Sequence, residues 1–103
     1  MEQNPQTAQR LEIVMDEETA NGAYVNLAMV NHTGDEFTLD FVYVPPNAPK
    51  AKLRARLISS PPHTKRLLLA LQENVRRYEE RFGTIDAGKA LEPGDISKNA
   101  GHA

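Results

Sequence analysis

The chain has 103 residues, of which 40% are hydrophobic and 25% are charged, and it contains neither cysteine nor tryptophan. Without cysteine it cannot form disulfides, thiolate metal sites or a cysteine nucleophile. This length and composition are typical of one globular domain with a thin hydrophobic core. No apolar run reaches the roughly 18 residues needed to span a bilayer, and residues 1–10 contain no apolar signal segment. We therefore expect a cytoplasmic protein without a membrane partner.

The net charge of −2 conceals an uneven distribution along the chain. Residues 1–49 carry a net charge of −7, whereas residues 50–82 carry +6. Such a division lets the two halves pair within one fold or between subunits, or it presents a basic surface to an acidic partner. Compensation within the protein is the simpler of these interpretations.

Four segments in the first part of the chain have features of β-strands. Residues 11–15 form a short apolar run, and residues 23–32, 36–44 and 52–59 alternate between two sets of side chains. Turn-forming or strand-ending dipeptides lie between them: Asn21-Gly22, Gly34-Asp35 and Pro45-Pro46. We therefore predict an antiparallel meander of three or four strands.

A change of period at Ser60 predicts one long α-helix. The apolar residues that follow are spaced by three and four positions, as on one side of a helix: Leu68, Leu71, Val75, Tyr78 and Phe82. Ser60 suits the N-cap, Pro61 the first helical position and Gly83 the left-handed stop. The predicted fold is α+β, with a C-terminal helix of about 22 residues packed on one face of the sheet.

The predicted domain covers residues 11–83, and the polar, aperiodic segments 1–10 and 84–103 are expected to be flexible tails. One helix covers only one face of a small sheet. The other predicted face mixes apolar side chains with polar ones: Ala28, Val30, Val42, Val44 and Ile58 with Asn26, Asp40, Arg54 and Arg56. A half-apolar face suits a partner better than water, so we expect a homo-oligomer, a dimer or larger.

A group of Ser59, Ser60, His63 and Lys65 raises the question of a nucleophilic site. A serine nucleophile needs a base within hydrogen-bonding reach and a third group that orients that base. The segment has neither the nucleophile-elbow glycines nor a Ser-x-x-Lys motif. Helix initiation explains the same residues, and we interpret the group as the start of the helix.

The remaining polar residues also lack a catalytic or metal-binding pattern. The three histidines, His32, His63 and His102, fall on a turn, a helix start and a tail, without carboxylates at ligand spacing. Two acidic groups, Asp16-Glu17-Glu18 and Asp35-Glu36, are assigned to solvated turns. There is no glycine-rich phosphate loop. We predict no catalytic residues, no metal ligands and no cofactor, and hence a protein that is not an enzyme.

The basic residues offer an alternative function in nucleic-acid binding. The candidates are Arg54, Arg56, Lys65, Arg66, Arg76 and Arg77. Asp40 is a cross-strand partner for the strand arginines, and Glu73 is an i,i+4 partner for Arg77. Nucleic-acid grooves usually combine basic residues with exposed aromatic rings. Here the aromatic residues Phe37, Phe41, Tyr43, Tyr78 and Phe82 are assigned to the core.

Five sequence blocks carry a resemblance to a known family. They are GAYVN (22–26), EFTLDF (36–41), the segment from Arg56 to Pro61, KRLLLAL (65–71) and YEERFG (78–83). With these blocks the chain resembles, over about residues 11–85, small bacterial and archaeal proteins catalogued only as a domain of unknown function. The resemblance implies no established activity. The meander followed by one helix is also similar in architecture to the export chaperone SecB, without a shared motif.

These observations favour a non-enzymatic binding or scaffold protein. We expect an oligomer that presents a half-apolar sheet face to another protein, as a holdase-like chaperone does. The alternative is a nucleic-acid-associated protein that uses the basic residues of the segment 50–82. The residues expected to contact a partner are Val30, Val42, Val44, Arg54, Arg56, Ile58, Lys65 and Arg66.

Overall fold

The computed structural model describes residues 10–47 and 49–89. Its elements, in chain order, are helix α1 (Glu17–Asn21), strands β1 (Leu27–His32), β2 (Phe37–Tyr43) and β3 (Lys52–Ser59), and helix α2 (Pro61–Phe82). The strands form one antiparallel sheet in the order β1-β2-β3. The α+β class and the meander followed by a long helix are therefore confirmed.

The described chain divides into two compact units, which meet in sequence between Pro61 and Pro62. The first contains the sheet and the second contains nearly all of α2. The predicted packing of the helix on one sheet face stays a prediction. The predicted tails lie mostly outside the described residues. Within them, residues 84–89 have no regular structure, but the backbone N–H of Ile85 donates a hydrogen bond to the Glu79 carboxylate at 2.8 Å.

The segment before the sheet differs from its prediction. Residues 11–15 form no strand, and the apolar side chains along them are exposed. A short apolar run does not by itself define a strand, and the adjacent Val14 and Met15 break the period of two. Residues 17–21, expected to lie in a turn region, form α1 because Asp16 provides an N-cap.

Capping residues at both ends stabilise α1. The Asp16 carboxylate accepts a hydrogen bond from the Thr19 N–H at 3.2 Å. Side-chain and backbone hydrogen bonds of Thr19 lower the pKa of Asp16, because they favour the ionised carboxylate. Gly22 ends the helix at φ 82°, a value that glycine adopts without steric cost. The Asn21-Gly22 dipeptide therefore marks a helix end instead of a hairpin turn.

The connection between β1 and β2 is the tight turn that Gly34-Asp35 predicted. Thr33 organises it, because its hydroxyl accepts hydrogen bonds from the N–H groups of Asp35 at 3.1 Å and Glu36 at 3.3 Å. The Thr33 N–H in turn donates to the Glu36 carbonyl at 2.9 Å. This turn fixes which residues of the two strands face each other.

The register assigns the strand side chains to two faces. Directly opposed residues of antiparallel strands share a face. The face around Asp40, called the ion-pair face below, carries Leu27, Met29, Asn31, Thr38, Asp40, Val42, Leu53, Arg56 and Ile58. The opposite face, called the aromatic face, carries Ala28, Val30, His32, Phe37, Leu39, Phe41, Tyr43, Lys52, Ala55, Leu57 and Ser59.

Two predicted groupings of side chains are wrong. Val30 lies opposite Leu39 and is therefore on the aromatic face, away from Val42 and Ile58. Alternation within a strand defines two sides but does not say which side matches the next strand, and an offset of one residue exchanges them. The alternation of residues 52–59 also predicts that Leu53 shares a face with Ala55, and this grouping is wrong as well.

A bulge in β3 moves Leu53 to the ion-pair face. Phe41 lies opposite Ala55, but the next residue, Val42, lies opposite Leu53, so Arg54 is an extra residue in β3. An extra residue interrupts the alternation and moves the residues beyond it to the other face. The pattern of β3 alone contains no sign of this bulge.

The described residues have a small core on the central strand. Leu39 and Val42 are buried, one on each face, and Asp40 between them is equally enclosed. Since β2 is flanked by strands on both sides, its side chains are covered by their neighbours. The edge strands leave large apolar side chains exposed on both faces.

Helix α2 begins and ends as its sequence predicts. It starts at Pro61, directly after Ser60, and it stops before Gly83, which has φ 100° and donates its N–H to the Glu79 carbonyl at 2.9 Å. The apolar stripe of α2 consists of Leu68, Leu71, Val75, Tyr78 and Phe82. These side chains are 43% to 67% exposed. No helix in the described part of the chain is long and apolar enough to cross a membrane.

Candidate protein-binding face

The centre of the ion-pair face is a two-point contact between Arg56 and Asp40. Arg56 Nε donates to Asp40 Oδ1 at 2.8 Å, and Nη2 donates to Oδ2 at 3.0 Å. The two residues lie directly opposite each other on β3 and β2, so the strand register aligns the guanidinium with the carboxylate. The cross-strand pair expected from the sequence is thus confirmed for Arg56.

The two partners differ in their access to solvent. The Asp40 side chain is 7% exposed, whereas that of Arg56 is 60% exposed. The hydrogen bond from Arg56 to Asp40, with the attraction between their charges, raises the pKa of Arg56, which keeps the guanidinium charged. The buried carboxylate fixes the orientation of the Arg56 side chain. The N–H donors of the guanidinium that do not bind Asp40 are available to a partner.

Apolar side chains surround this ion pair. Leu53 and Ile58 are exposed on β3, while Leu27 and Met29 on β1 are partly buried. Val42 lies between the two sets and is buried. The face therefore has an apolar surface on both sides of one oriented arginine.

The aromatic face has a different composition. Tyr24 packs edge-on against Tyr43 with 6.1 Å between ring centroids, and the guanidinium of Arg54 lies 5.2 Å from the Tyr43 centroid. At the other end of the sheet, His32 lies against Phe37 with 5.3 Å between ring centroids. These contacts occupy the rings and Arg54 with one another, so Arg54 does not join Arg56 at Asp40.

The side chain of Asn26 extends the pairing of β1 and β2. Its Nδ2 donates to the Val44 carbonyl at 2.9 Å, and its Oδ1 accepts from the Val44 N–H at 2.8 Å. The side-chain amide thus makes the two hydrogen bonds to Val44 that a backbone N–H and C=O would otherwise make. The backbone N–H of Asn26 donates to the Val42 carbonyl at 3.0 Å, so the two sets of bonds are adjacent. Val44 is therefore fixed through its backbone, after the end of β2.

The structure brings together only part of the predicted partner-binding set. Val42, Arg56 and Ile58 share the ion-pair face, and Val44 follows the end of β2. Val30 lies on the opposite face, and Arg54 is the bulge residue stacked on Tyr43. Lys65 and Arg66 are exposed residues near the start of α2, in the helical unit.

Sequence reasoning missed the side chains that the register adds to this face. The alternation within each strand predicts Leu27, Met29 and Leu53 on the side of the sheet opposite Val42 and Ile58, whereas the register puts all three on the ion-pair face. The turn at Thr33 is the one signal that could have corrected the β1 residues, because the loop length sets the hairpin register. No comparable signal marks the bulge at Arg54.

The basic residues of α2 are partly neutralised within the helix. Arg76 binds Glu73 and Glu80, both at 2.8 Å, and Arg77 binds Glu73 at 3.0 Å. Hydrogen bonds from Arg76 and Arg77 lower the pKa of Glu73 to about 2. The predicted Glu73–Arg77 pair is confirmed, and Arg76 adds contacts to Glu73 and Glu80 beyond the predicted pair.

Two aromatic residues assigned to the core are exposed. Tyr78 and Phe82 lie on the apolar stripe of α2, with ring centroids 4.9 Å apart, and the guanidinium of Arg81 lies 5.6 Å from the Phe82 centroid. The spacing correctly predicts a continuous stripe on one side of a helix. It does not say which surface covers the stripe, which is why these two residues were misassigned.

The Ser-His-Lys group occupies the start of α2. Ser60 precedes the helix, and His63 and Lys65 are its third and fifth residues. Within residues 10–47 and 49–89, no three histidine or acidic side chains are placed to hold a metal ion together. The feature that stands out in the sheet unit is the ion-pair face.

Comparison with known proteins gives a family but no function. No curated protein and no solved structure matches the chain. A family model described as "Protein of unknown function (DUF3467)" matches residues 1–87. This match confirms the expected membership in a family of unknown function, while the architectural similarity to SecB stays a prediction. The chain therefore belongs to the DUF3467 family.

Proposed function

We propose that the protein is a non-enzymatic binding protein that acts as a cytoplasmic homo-oligomer and presents its ion-pair face to a protein partner. The observation that carries this proposal is the exposed guanidinium of Arg56, held by the buried carboxylate of Asp40 between apolar side chains. Arginine is enriched among the residues that dominate binding energy at protein interfaces, and the buried centre of such interfaces is mostly apolar.

The arginine is prepared for such a contact. Two of its five N–H donors bind Asp40, which leaves three donors for carbonyl or carboxylate groups of a partner. Because Asp40 already orients the side chain, a partner gains these hydrogen bonds with less loss of conformational entropy. The charges of the pair cancel, so the face does not require an acidic partner.

The same contacts weigh against nucleic acid as the partner. Of the six basic residues proposed for that role, three are in ion pairs: Arg56, Arg76 and Arg77. A nucleic-acid site gains affinity from cations that neutralise phosphates, and these cations are already neutralised. A mostly apolar face around one arginine suits an extended or partly unfolded polypeptide, as a holdase-like chaperone binds.

Two matched variants on opposite faces test the proposal. Ile58 on the ion-pair face and Val30 on the aromatic face are both β-branched residues of edge strands, 63% and 57% exposed. Wild type, Ile58→Asp and Val30→Asp are compared for their ability to suppress light scattering by an aggregating, chemically unfolded model protein. We expect wild type and Val30→Asp to suppress scattering, and Ile58→Asp to lose most of this activity.

Equal activity of the two variants would contradict the assignment of the face. Co-purification with one defined protein, lost in Ile58→Asp and kept in Val30→Asp, would support a dedicated partner instead of a general client. Failure of wild type in both assays would refute the protein-binding function. A salt-dependent mobility shift with DNA or RNA would favour the nucleic-acid alternative.

A further inference from the structure

The apolar stripe of α2 has a pattern that suits another helix. Leu68, Val75 and Phe82 are separated by seven residues, and Leu71 and Tyr78 lie at the intermediate positions. These are the a and d positions of a heptad repeat, and Thr64 takes the d position one turn before Leu68. The ion-pair network around Glu73 lies on the opposite side of the helix, and the e and g positions that flank the stripe are polar except for Leu67.

We infer that the apolar stripe is the self-association surface of the protein, and that two copies pair through it with their α2 helices antiparallel. This inference rests on the homo-oligomer of the proposed function, and it adds the surface and the orientation. The two-fold axis would lie level with Glu73. Leu71 would then pack against the partner's Val75, and Leu68 against the partner's Tyr78.

Charge complementarity supports the antiparallel orientation. In such a pair, e positions of one helix face e positions of the other. Lys65 and Glu79 both occupy e positions, eight residues before and six residues after Glu73. In the antiparallel pair they lie on the same side of the interface and differ by two residues, or about 3 Å, along the axis, a distance that the lysine side chain spans, so each Lys65 would meet the partner's Glu79. Two opposite-charge contacts form, one at each end of the interface. The Ile85 N–H binds Glu79 Oε2 and leaves Oε1 to accept from the lysine.

Side-chain size supports the same orientation. The antiparallel layers combine the small Thr64 with the partner's large Phe82 at both ends, so every layer has a similar volume. An in-register parallel pair would place Phe82 against the partner's Phe82 and Thr64 against the partner's Thr64. That arrangement crowds one end and leaves a gap at the other.

The flanking charges also disfavour a parallel pair. A parallel pair would bring g and e positions together, which places Asn74 beside the partner's Glu79 and brings no opposite charges into contact. Lys65 and Glu79 would then be separated by 14 residues of helix, or about 21 Å along the axis. Antiparallel helices also place opposite ends of their dipoles next to each other.

The first test uses two leucines of the same helix. Leu71 lies on the stripe and is 55% exposed, and Leu69 lies off the stripe and is 52% exposed. Sedimentation equilibrium is measured for the full-length wild type, Leu71→Glu and Leu69→Glu, with helix content checked by circular dichroism. We expect the dimer Kd to rise by roughly a hundredfold in Leu71→Glu and by less than about threefold in Leu69→Glu.

The outcomes separate the inference from the proposed function. A wild-type oligomer that Leu71→Glu leaves intact would overturn the stripe as its interface while the oligomer itself stands. A wild-type monomer at tens of micromolar would overturn both the oligomer and this inference. Equal dissociation by the Leu69 and Leu71 variants would overturn the stripe as a specific surface.

The second test examines the orientation by exchange of charges. Lys65→Glu places like charges at both ends of an antiparallel pair and is expected to raise the dimer Kd by about tenfold. Glu79→Lys is expected to act in the same direction and also removes the bond to Ile85. The double variant Lys65→Glu, Glu79→Lys should recover most of the affinity. Absence of recovery would overturn the antiparallel orientation.

Discussion

Replacement of Asn26 tests how β1 is joined to the central strand. Its side chain makes two hydrogen bonds to the backbone of Val44, at 2.9 Å and 2.8 Å, and both are exposed to solvent. Since water competes for exposed groups, each bond contributes about 0.5–1 kcal/mol. Asn26→Ala should therefore lower the free energy of unfolding by about 1–2 kcal/mol. For a protein of this size that corresponds to a decrease in Tm of roughly 5–10 °C.

The aspartate variant makes the test more specific. Asn26→Asp keeps the acceptor for the Val44 N–H but replaces the donor with a second oxygen, which faces the Val44 carbonyl. We expect it to be at least as destabilising as alanine at pH 7. It should recover part of the loss below about pH 4, where the protonated carboxyl can donate.

Urea unfolding at one fixed protein concentration provides the measurement, because self-association makes stability depend on concentration. Asn31→Ala is the matched control, since Asn31 is an exposed asparagine of β1, the strand that Asn26 directly precedes. Its stability should remain within about 0.5 kcal/mol of wild type. If Asn26→Ala were no more destabilising than Asn31→Ala, the proposed role of the amide in the ladder would be refuted.

Three further variants test the core, the helix network and the helix end. Leu39→Ala removes a buried side chain and should cost about 2–4 kcal/mol in urea unfolding, whereas Leu57→Ala, directly opposite and half exposed, should cost about 1 kcal/mol. The lowered pKa of Glu73, about 2 against an ordinary value of 4.5, stabilises the fold above about pH 4.5, and this contribution is lost as the pH falls towards 2. Circular dichroism of wild type should show this loss of helix stability, and Glu73→Gln should flatten the pH dependence. Gly83→Ala should lower the free energy of unfolding by about 1–2 kcal/mol in thermal unfolding. The cost comes from the positive φ of residue 83, because the added Cβ meets no surrounding atom within 4 Å. A neutral effect would contradict the role of Gly83 as the left-handed end of α2.

The elements of the fold follow from local sequence patterns. Period-two alternation in residues 36–44 and 52–59, interrupted by Pro45-Pro46, predicts both ends of β2 and of β3 to within one residue. The change of period at Ser60 predicts α2 with its observed start and stop. These signals are strong because each depends on residues within a few positions of one another.

Which side chains share a face of the sheet depends on the register between strands and on bulges. Local sequence patterns say little about either. The register of β1 against β2 moved Val30 to the aromatic face, and the bulge at Arg54 moved Leu53 to the ion-pair face. A shift of one residue moves the side chains of a strand from one face of the sheet to the other, while the strand itself remains a strand. The Asp40–Arg56 contact was predictable because opposite charges on neighbouring strands restrict the register locally.

The helix start before β1 was missed for a similar reason. An Asn-Gly dipeptide is favourable both in a hairpin turn and at a helix C-terminus, because glycine adopts a positive φ in each. The capping carboxylate of Asp16 decides between them, since it lies at the N-cap of residues 17–21. A carboxylate that was assigned to a solvated turn is thus the determinant of α1.

Sedimentation equilibrium of the full-length chain at tens of micromolar tests the central claim, that the apolar stripe of α2 is an interface between copies of this protein. The account predicts a dimer in the wild type, a monomer with unchanged helix content in Leu71→Glu and a dimer in Leu69→Glu. A wild-type chain that sediments as a monomer throughout this concentration range would contradict it.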